Sequence, residues 1–269
     1  MTRVLSGAVL LAVAIAVVLY ASALVFLVVA EAVLVLGCLE YASLARARRI
    51  SIPAAASTLA AAITCLAVSA RDAQMLDVGL AVSFVALSVA TLARWRGEDD
   101  AIASAAAAMF PSLYLGVPIG AMILVRAVHG PETLFLMMLT VFVSDTAQYY
   151  CGRMFGRTPL APAISPKKTV EGAAGGFVCG ALMTAVAGIW WPPATRVATR
   201  LSIGAAIVAS GIAGDLFESM LKRSAGVKDS SSLIPGHGGI LDRIDALLFA
   251  APVYYVILLL TSSPLHDSR

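Results

Sequence analysis

The run LSIGAAIVASGIAGDLFESM (201–220), LKRSAGVKDSSSLIPGHGGI (221–240), LDRIDALLFAAPVYYVILLLTS (241–262) joins two strongly apolar segments through an island of charge. The outer parts are long and greasy enough to be membrane helices. The island carries Lys222, Arg223, Lys228 and Arg243 against Asp229, Asp242 and Asp245, with His237 among them. Cations hold phosphates, and closely spaced carboxylates hold the divalent metal that accompanies them. A polar island of this kind between membrane helices points to phosphoryl or nucleotidyl transfer.

Composition sets the class. The chain has 269 residues, 60% hydrophobic and 13% charged, with a mean hydropathy of +0.90. Soluble domains carry about 25% charged residues, so this is an integral membrane protein. A hydrocarbon core of ~30 Å takes roughly 20 helical residues. The sequence predicts nine such segments, at 4–20, 23–44, 53–70, 75–94, 101–125, 132–152, 172–192, 201–221 and 244–262. Helix follows because backbone groups in lipid must be satisfied within the segment. The alternating pattern of a barrel strand is absent. Arg3 before an apolar run resembles a signal peptide, but the run continues through Leu39 without a small-residue cleavage site, so it reads as a helix pair. Cys38, Cys65, Cys151 and Cys179 show no CxxC spacing and read as buried free thiols.

With nine spans and the N-terminus inside, fourteen of the 19 lysines and arginines fall on the cytoplasmic side. Arg71, Arg126, Arg196, Arg200 and Arg269 fall on the other. The positive-inside rule supports this orientation. It places both charged loops, 153–171 and 222–243, in the cytoplasm, where nucleotides are found. Each loop is too short to bury a core of its own and must fold against helix ends. We expect N-terminal scaffold helices over 1–130 and a C-terminal catalytic region over 131–269. Residues 94–100, with Asp99 and Asp100, read as a solvated turn, and Pro131 and Pro192-Pro193 as helix punctuation. No internal repeat is evident, which weakens a transporter reading.

Carboxylates at membrane depth are costly and need a reason. Asp145 lies near the end of the sixth span, Asp215 and Glu218 in the last turns of the eighth, and Asp245 at the start of the ninth. In this topology all four converge on one depth, forming a pocket that opens to the cytoplasm. Asp215, Glu218 and Lys222 share one helix face by spacing, and Asp242 and Asp245 share another if the ninth helix begins near Leu241. Glu218 reads either as a member of the pocket or as the ion-pair partner of Lys222. Asp215, with no basic residue one turn before it, reads as a metal ligand. Glu31 and Glu40 in the second span read as polar glue between helices, or, for Glu40, as an interfacial residue near Arg46.

In the second loop, Pro235-Gly-His-Gly-Gly239 suits close backbone approach and an anion-binding nest. His237 is either a phosphate donor or proton carrier, or a residue that orients the loop. In the first, Ser165-Pro-Lys-Lys-Thr169 places Lys167 and Lys168 beside hydroxyls before a helix. This pair either cradles a triphosphate or anchors anionic headgroups; a second cationic loop on the same side favours the phosphate.

The run from Ser219 to Asp245 resembles the characteristic motif of phosphatidate cytidylyltransferases (CDP-diacylglycerol synthases). That motif reads S-x-x-K-R, four residues, K-D, a small residue two further on, then P-x-H-G-G-x-x-D-R-x-D. Ser219, Lys222, Arg223, Lys228, Asp229, Ser231, Pro235, His237, Gly238, Gly239, Asp242, Arg243 and Asp245 match it without a gap. The likeness reaches Gly214-Asp215, Ser165 to Thr169 with Glu171-Gly172, and Asp145 with Tyr149 and Gly152-Arg153. It covers residues 140–262 by motif and the rest by hydropathy. It departs at Ala147-Gln148, where the family favours small residues, and a glutamine there changes the hydrogen bonding open to Asp145 and Tyr149.

The resemblance implies that CTP and phosphatidic acid give CDP-diacylglycerol and pyrophosphate, with magnesium as cofactor and an open question of a monovalent cation. It implies Asp215, Asp242 and Asp245 as metal ligands. Lys222, Arg223, Lys228, Asp229, His237 and Asp245 would act in catalysis, and Lys167 and Lys168 would clamp phosphate. Ser165, Thr169, Ser219, Gly238, Gly239, Arg243, Asp145 and Tyr149 would contact CTP. The expected setting is the cell (plasma or inner) membrane, with no nucleic-acid partner; a homodimer is left open. Two rivals remain. An enzyme consuming CDP-diacylglycerol would show an Asp-Gly…Ala-Arg…Gly…Asp…Asp pattern, which is not found. An ion-coupled transporter relaying through Asp145, Asp215 and Glu218 would not need a glycine-rich cationic loop.

Overall fold

The computed structural model describes residues 2–97, 100–188, 196–231, 233 and 238–262. Each expected apolar segment holds a helix: α1 (Thr2–Tyr20), α2 (Ala23–Ala47), α3 (Ala54–Ser69), α4 (Ala73–Arg94), a run from α5 (Ala101–Pro111) through a π turn (Ser112–Gly116) into α6 (Val117–His129), α7 (Pro131–Phe155), α8 (Val170–Ala187), α9 (Val197–Ser224) and α10 (Leu241–Ser262). Among the described residues seven helices are long and apolar enough to cross a membrane. The apolar stretches Leu11–Tyr20 and Ala54–Ser69 are shorter.

Two features differ from expectation, and a third adds detail to it. Residues 153–171 are not an irregular loop. Strands β1 (Pro159–Ala161) and β2 (Ser165–Thr169) pair antiparallel, with Pro159 opposite Thr169 and Ala161 opposite Ser165. Second, α9 runs on to Ser224, so Lys222 and Arg223 belong to its last turn rather than to the loop. Basic side chains there oppose the negative end of the helix dipole. Third, Asp100 is the N-cap of α5 and accepts from the amides of Ile102 and Ala103, both at 3.1 Å. Asp99 and Pro192-Pro193 lie outside the described residues.

Packing groups the chain into two compact units, Met1–Val128 with Met220–Ile244, and His129–Ser219 with Asp245–Arg269. In the first unit, α3 lies against the π turn and α6. A Cβ at Gly116 would sit 2.6 Å from the Ala61 carbonyl oxygen, and one at Gly120 2.7 Å from that of Cys65. Only glycines let the backbones approach so closely. The π turn follows from Pro111, which lacks an N–H and so withholds a helical donor from Ala107. The Tyr41 hydroxyl of α2 donates to the Ala107 carbonyl at 3.2 Å, and the Ser57 hydroxyl of α3 to that of Ala108 at 2.6 Å. The Val117 amide then reaches back to the Ser112 carbonyl, a π-type bond. At the other end, the Arg126 guanidinium donates to the Val18 carbonyl at 2.8 Å and to that of Ala21, and stacks over the Phe26 ring at 4.7 Å. The turn between α1 and α2 is thereby tied to α6.

In the second unit α7 and α8 pack face to face. Gly172, Gly176 and Gly180 recur every fourth residue, and a Cβ on them would meet the carbonyls of Gln148 (2.8 Å), Ser144 (2.8 Å) and Thr140 (3.4 Å). The Thr140 and Thr184 hydroxyls close this seam at 2.9 Å. Between lipid-soluble helices such backbone proximity replaces the hydrophobic effect as the source of association. The hairpin is held to the seam by Glu171, which accepts from the amides of Arg157 (3.0 Å) and Thr158 (3.2 Å).

Ser57→Ala removes a buried donor to the Ala108 carbonyl. It should cost about 1 kcal/mol, read as a lower midpoint of thermal unfolding in detergent. An unchanged midpoint would show that the π turn does not depend on this bond.

Candidate active site

The charged island up to Ile244 belongs to the first unit, and one ion pair organises it. Lys222, at the end of α9, donates from Nζ to Asp242 Oδ1 of α10 at 2.5 Å, with side chains 11% and 8% exposed. The other oxygen, Asp242 Oδ2, accepts from the Ser230 amide (3.0 Å), the Ser230 hydroxyl (2.8 Å) and the Gly239 amide (2.8 Å). The loop between α9 and α10 is therefore pinned at both ends by a carboxylate on α10. Gly238 has φ +79°, and a Cβ there would meet Asp242 Oδ2 at 2.6 Å, so glycine is required twice over.

A residue of α2 completes the arrangement. Glu40, 5% exposed, accepts on Oε1 from the Ser231 hydroxyl (2.7 Å) and the Ile240 amide (2.9 Å). Its Oε2 accepts from the Ser230 hydroxyl (3.0 Å) and the Leu241 amide (2.8 Å). Glu40 thus satisfies free amides at the start of α10 and sits at the positive end of its dipole. Of its two readings, polar glue between helices is the one these contacts fit. Its one signal in the sequence is that, with Glu31, it is an acid in an otherwise apolar span.

The remaining cations of this region face outward. Arg223 donates from Nη1 to the Val227 carbonyl at 3.2 Å, and Lys228, Asp229 and Arg243 are exposed. His237 and Pro235 lie outside the described residues.

The second unit gathers the other acids. Asp145 of α7 interacts electrostatically with Asp215 of α9 and with Lys168 of β2. Asp245 of α10 feels Asp215, Glu218 and Asp145. The Lys168 ammonium forms an ion pair with Asp215 Oδ2. Asp245 thus lies within electrostatic range of the other three carboxylates, and Lys168 joins them at Asp215. Gln148 donates to Asp145 Oδ1 at 3.0 Å, the altered hydrogen bonding expected where this chain departs from the motif. Gly214 permits the approach of the two helices that carry Asp215 and Asp245: a Cβ there would lie 2.5 Å from the Asp245 carbonyl oxygen and 3.1 Å from Phe249 Cβ.

The hairpin decides where its lysines go. Thr169 caps α8, accepting from the Gly172 amide at 3.1 Å, and this fixes Lys168 one residue earlier on β2. Lys167 is exposed on β2, while Ser165 is half-buried. Tyr149 is exposed, accepts from Arg153 Nη1 at 3.4 Å and meets the Tyr150 ring edge-on at 5.2 Å. Ser219 is half-buried on α9.

Chemically the carboxylates Asp145, Asp215, Glu218 and Asp245 offer hard oxygen donors, a set that suits magnesium rather than a thiophilic ion. Among the described residues, no three histidine, cysteine, aspartate or glutamate side chains stand ready as a metal-binding group. The fit is one of donor type and charge. Asp242 has its oxygens on protein donors, but a carboxylate oxygen carries a second lone pair.

A family model described as the cytidylyltransferase family matches residues 1–261. Phosphatidate cytidylyltransferase of Aquifex aeolicus is 42% identical over 125 residues, covering 46% of this chain and 46% of that protein. The Haemophilus influenzae protein of the same name is 45% identical over 131 residues, 47% of this chain and 45% of its own. That of Staphylococcus epidermidis is 34% identical over 215 residues, 79% of this chain and 81% of its own. The chain spans about half the length of the first two relatives.

A Cβ at Gly239 would collide with the Ser230 hydroxyl and both Glu40 oxygens. Gly239→Ala should therefore loosen the loop, seen as faster tryptic cleavage after Lys228 in the folded protein. Cleavage at the unaltered rate would contradict the clamp.

Proposed function

We propose a reaction for this chain from one established premise: it belongs to the cytidylyltransferase family. The chain transfers the cytidylyl group of CTP to phosphatidic acid, giving CDP-diacylglycerol and pyrophosphate. An oxygen of the lipid phosphate bonds to the α-phosphorus of CTP. The bond from that phosphorus to the oxygen bridging to the β-phosphate breaks, and its electrons leave with pyrophosphate. The nucleophile is already anionic, so no strong general base is needed. The obstacle is repulsion between two phosphate-bearing substrates.

The observation that carries this reading is the meeting of carboxylates in one unit: Asp145 and Lys168 lie beside Asp215, and Asp245 lies within electrostatic range of Asp215, Glu218 and Asp145. A cluster so rich in negative charge calls for further cations, and the substrates bring phosphates that need the same ones. Asp215, Asp242 and Asp245 would hold magnesium, which when bound would neutralise phosphate charge and stabilise the leaving pyrophosphate. Lys168, released from Asp215, joins Lys167, Lys222, Arg223 and Lys228 in holding phosphates. Asp242 also keeps Lys222 and the Gly238-Gly239 turn in place. Asp229 and His237 order the loop or bind the nucleotide. Ser165, Thr169, Ser219, Arg243, Asp145 and Tyr149 line the path of CTP. The protein crosses the cell membrane nine times with its N-terminus inside and its polar pocket facing the cytoplasm. The acyl chains of the lipid stay in the bilayer.

Purified protein incubated in lipid–detergent micelles with labelled CTP, phosphatidic acid and magnesium should release pyrophosphate. EDTA should stop it. Asp215→Asn should lower kcat/KM by roughly a hundredfold or more, the scale of losing a group that stabilises transition-state charge, while the protein stays folded. Wild-type protein that consumes no CTP would overturn the assignment.

A further inference from the structure

We propose that Glu40 is a positioning residue for nucleotidyl transfer: it holds the start of α10 and the serines of the preceding loop so that Asp242 and Lys222 keep the arrangement the reaction uses. The inference rests on the proposed cytidylyltransfer and deepens it by adding a residue from α2, outside the motif-bearing half of the chain.

Its cost argues for a purpose. A carboxylate within an apolar span is expensive, and left bare it would be a pure cost. Glu40 instead takes four N–H and O–H donors drawn from Ser230, Ser231, Ile240 and Leu241. These four donors carry no formal charge, and the charge of Glu40 is offset by the amides at the α10 N-terminus. Two of the donors are serine hydroxyls of the charged loop. The Ser230 hydroxyl also reaches Asp242 Oδ2 at 2.8 Å, and Asp242 Oδ1 holds Lys222. Glu40, Ser230, Asp242 and Lys222 thus form one continuous polar chain within a single unit.

Gly239 supplies independent support. Its neighbours include both Glu40 oxygens, so no residue with a Cβ fits between the turn and the acid. The glycine turn is shaped around Glu40 as much as around any ligand. Glutamine cannot replace the acid: each Glu40 oxygen meets a backbone N–H, and a carboxamide must set its NH2 group against one of them. Aspartate keeps the charge but shortens the reach by one methylene.

The test compares Glu40→Gln, Glu40→Asp and wild type in the pyrophosphate-release assay, with Glu31→Gln as a control for an altered acid on the same helix. Glu40→Gln should lower kcat/KM for CTP by roughly ten- to a hundredfold, the range for misplaced reacting groups. Glu40→Asp should recover part of that loss, and Glu31→Gln should match wild type. Hydrogen exchange in folded Glu40→Gln should speed up at the amides of Ile240 and Leu241. Wild type without activity defeats the reaction, whereas an active wild type matched within twofold by Glu40→Gln defeats the positioning role. A Glu40→Gln loss that Glu31→Gln reproduces, or one fully explained by less folded protein, also overturns it.

Discussion

Charge without water is the constraint on which this molecule depends. Over most of its length the chain has only lipid and itself for neighbours, so each carboxylate must be answered by another part of the protein. Three answers are visible. Asp242 meets an ammonium and two amides, Asp215 meets Lys168, and Glu40 meets hydroxyls and the free amides of a helix start. Each answer fixes backbone. The glycines at 214, 238 and 239 follow because the chain must come close to an acid, or to the helix that carries one, without a side chain in the way.

Helix packing far from the charges also reaches the site. The glycine stripe on α8 brings its backbone against α7, which sets where α8 begins. Thr169 caps that beginning, and Lys168 is the residue before the cap. A lysine on a free loop would sample many positions; one placed between a strand and a helix cap has few. The pairing of Lys168 with Asp215 is thus a consequence of close contact between two membrane helices.

Long apolar runs made the helices legible in the sequence, because span length and backbone satisfaction leave little choice. Clustering of Asp145, Asp215, Glu218 and Asp245 was legible too, since depth within a span follows from position along it. The hairpin was not. Ser165 to Thr169 is polar, contains a proline and lacks the alternation that marks a strand; Glu171 and the α7–α8 seam impose its pairing from outside. The end of α9 was placed too early because Lys222 and Arg223 read as loop, although cations suit the last turn of a helix. The role of Glu40 was hidden for a different reason. Two acids, Glu31 and Glu40, in an apolar segment have no periodicity to betray their partners, and those of Glu40 lie about two hundred residues away.

That separation has a consequence in time. Glu40 enters the bilayer with the second helix, while its partner Leu241 follows 201 residues later. Until then the acid has none of the four donors it finally holds. Closing so long a loop is entropically modest, but it must await nearly the whole polypeptide. Assembly of the charged island is therefore among the last events of biogenesis, and a chain interrupted before α10 leaves a buried acid exposed to lipid, the kind of defect by which incomplete membrane proteins are recognised and removed.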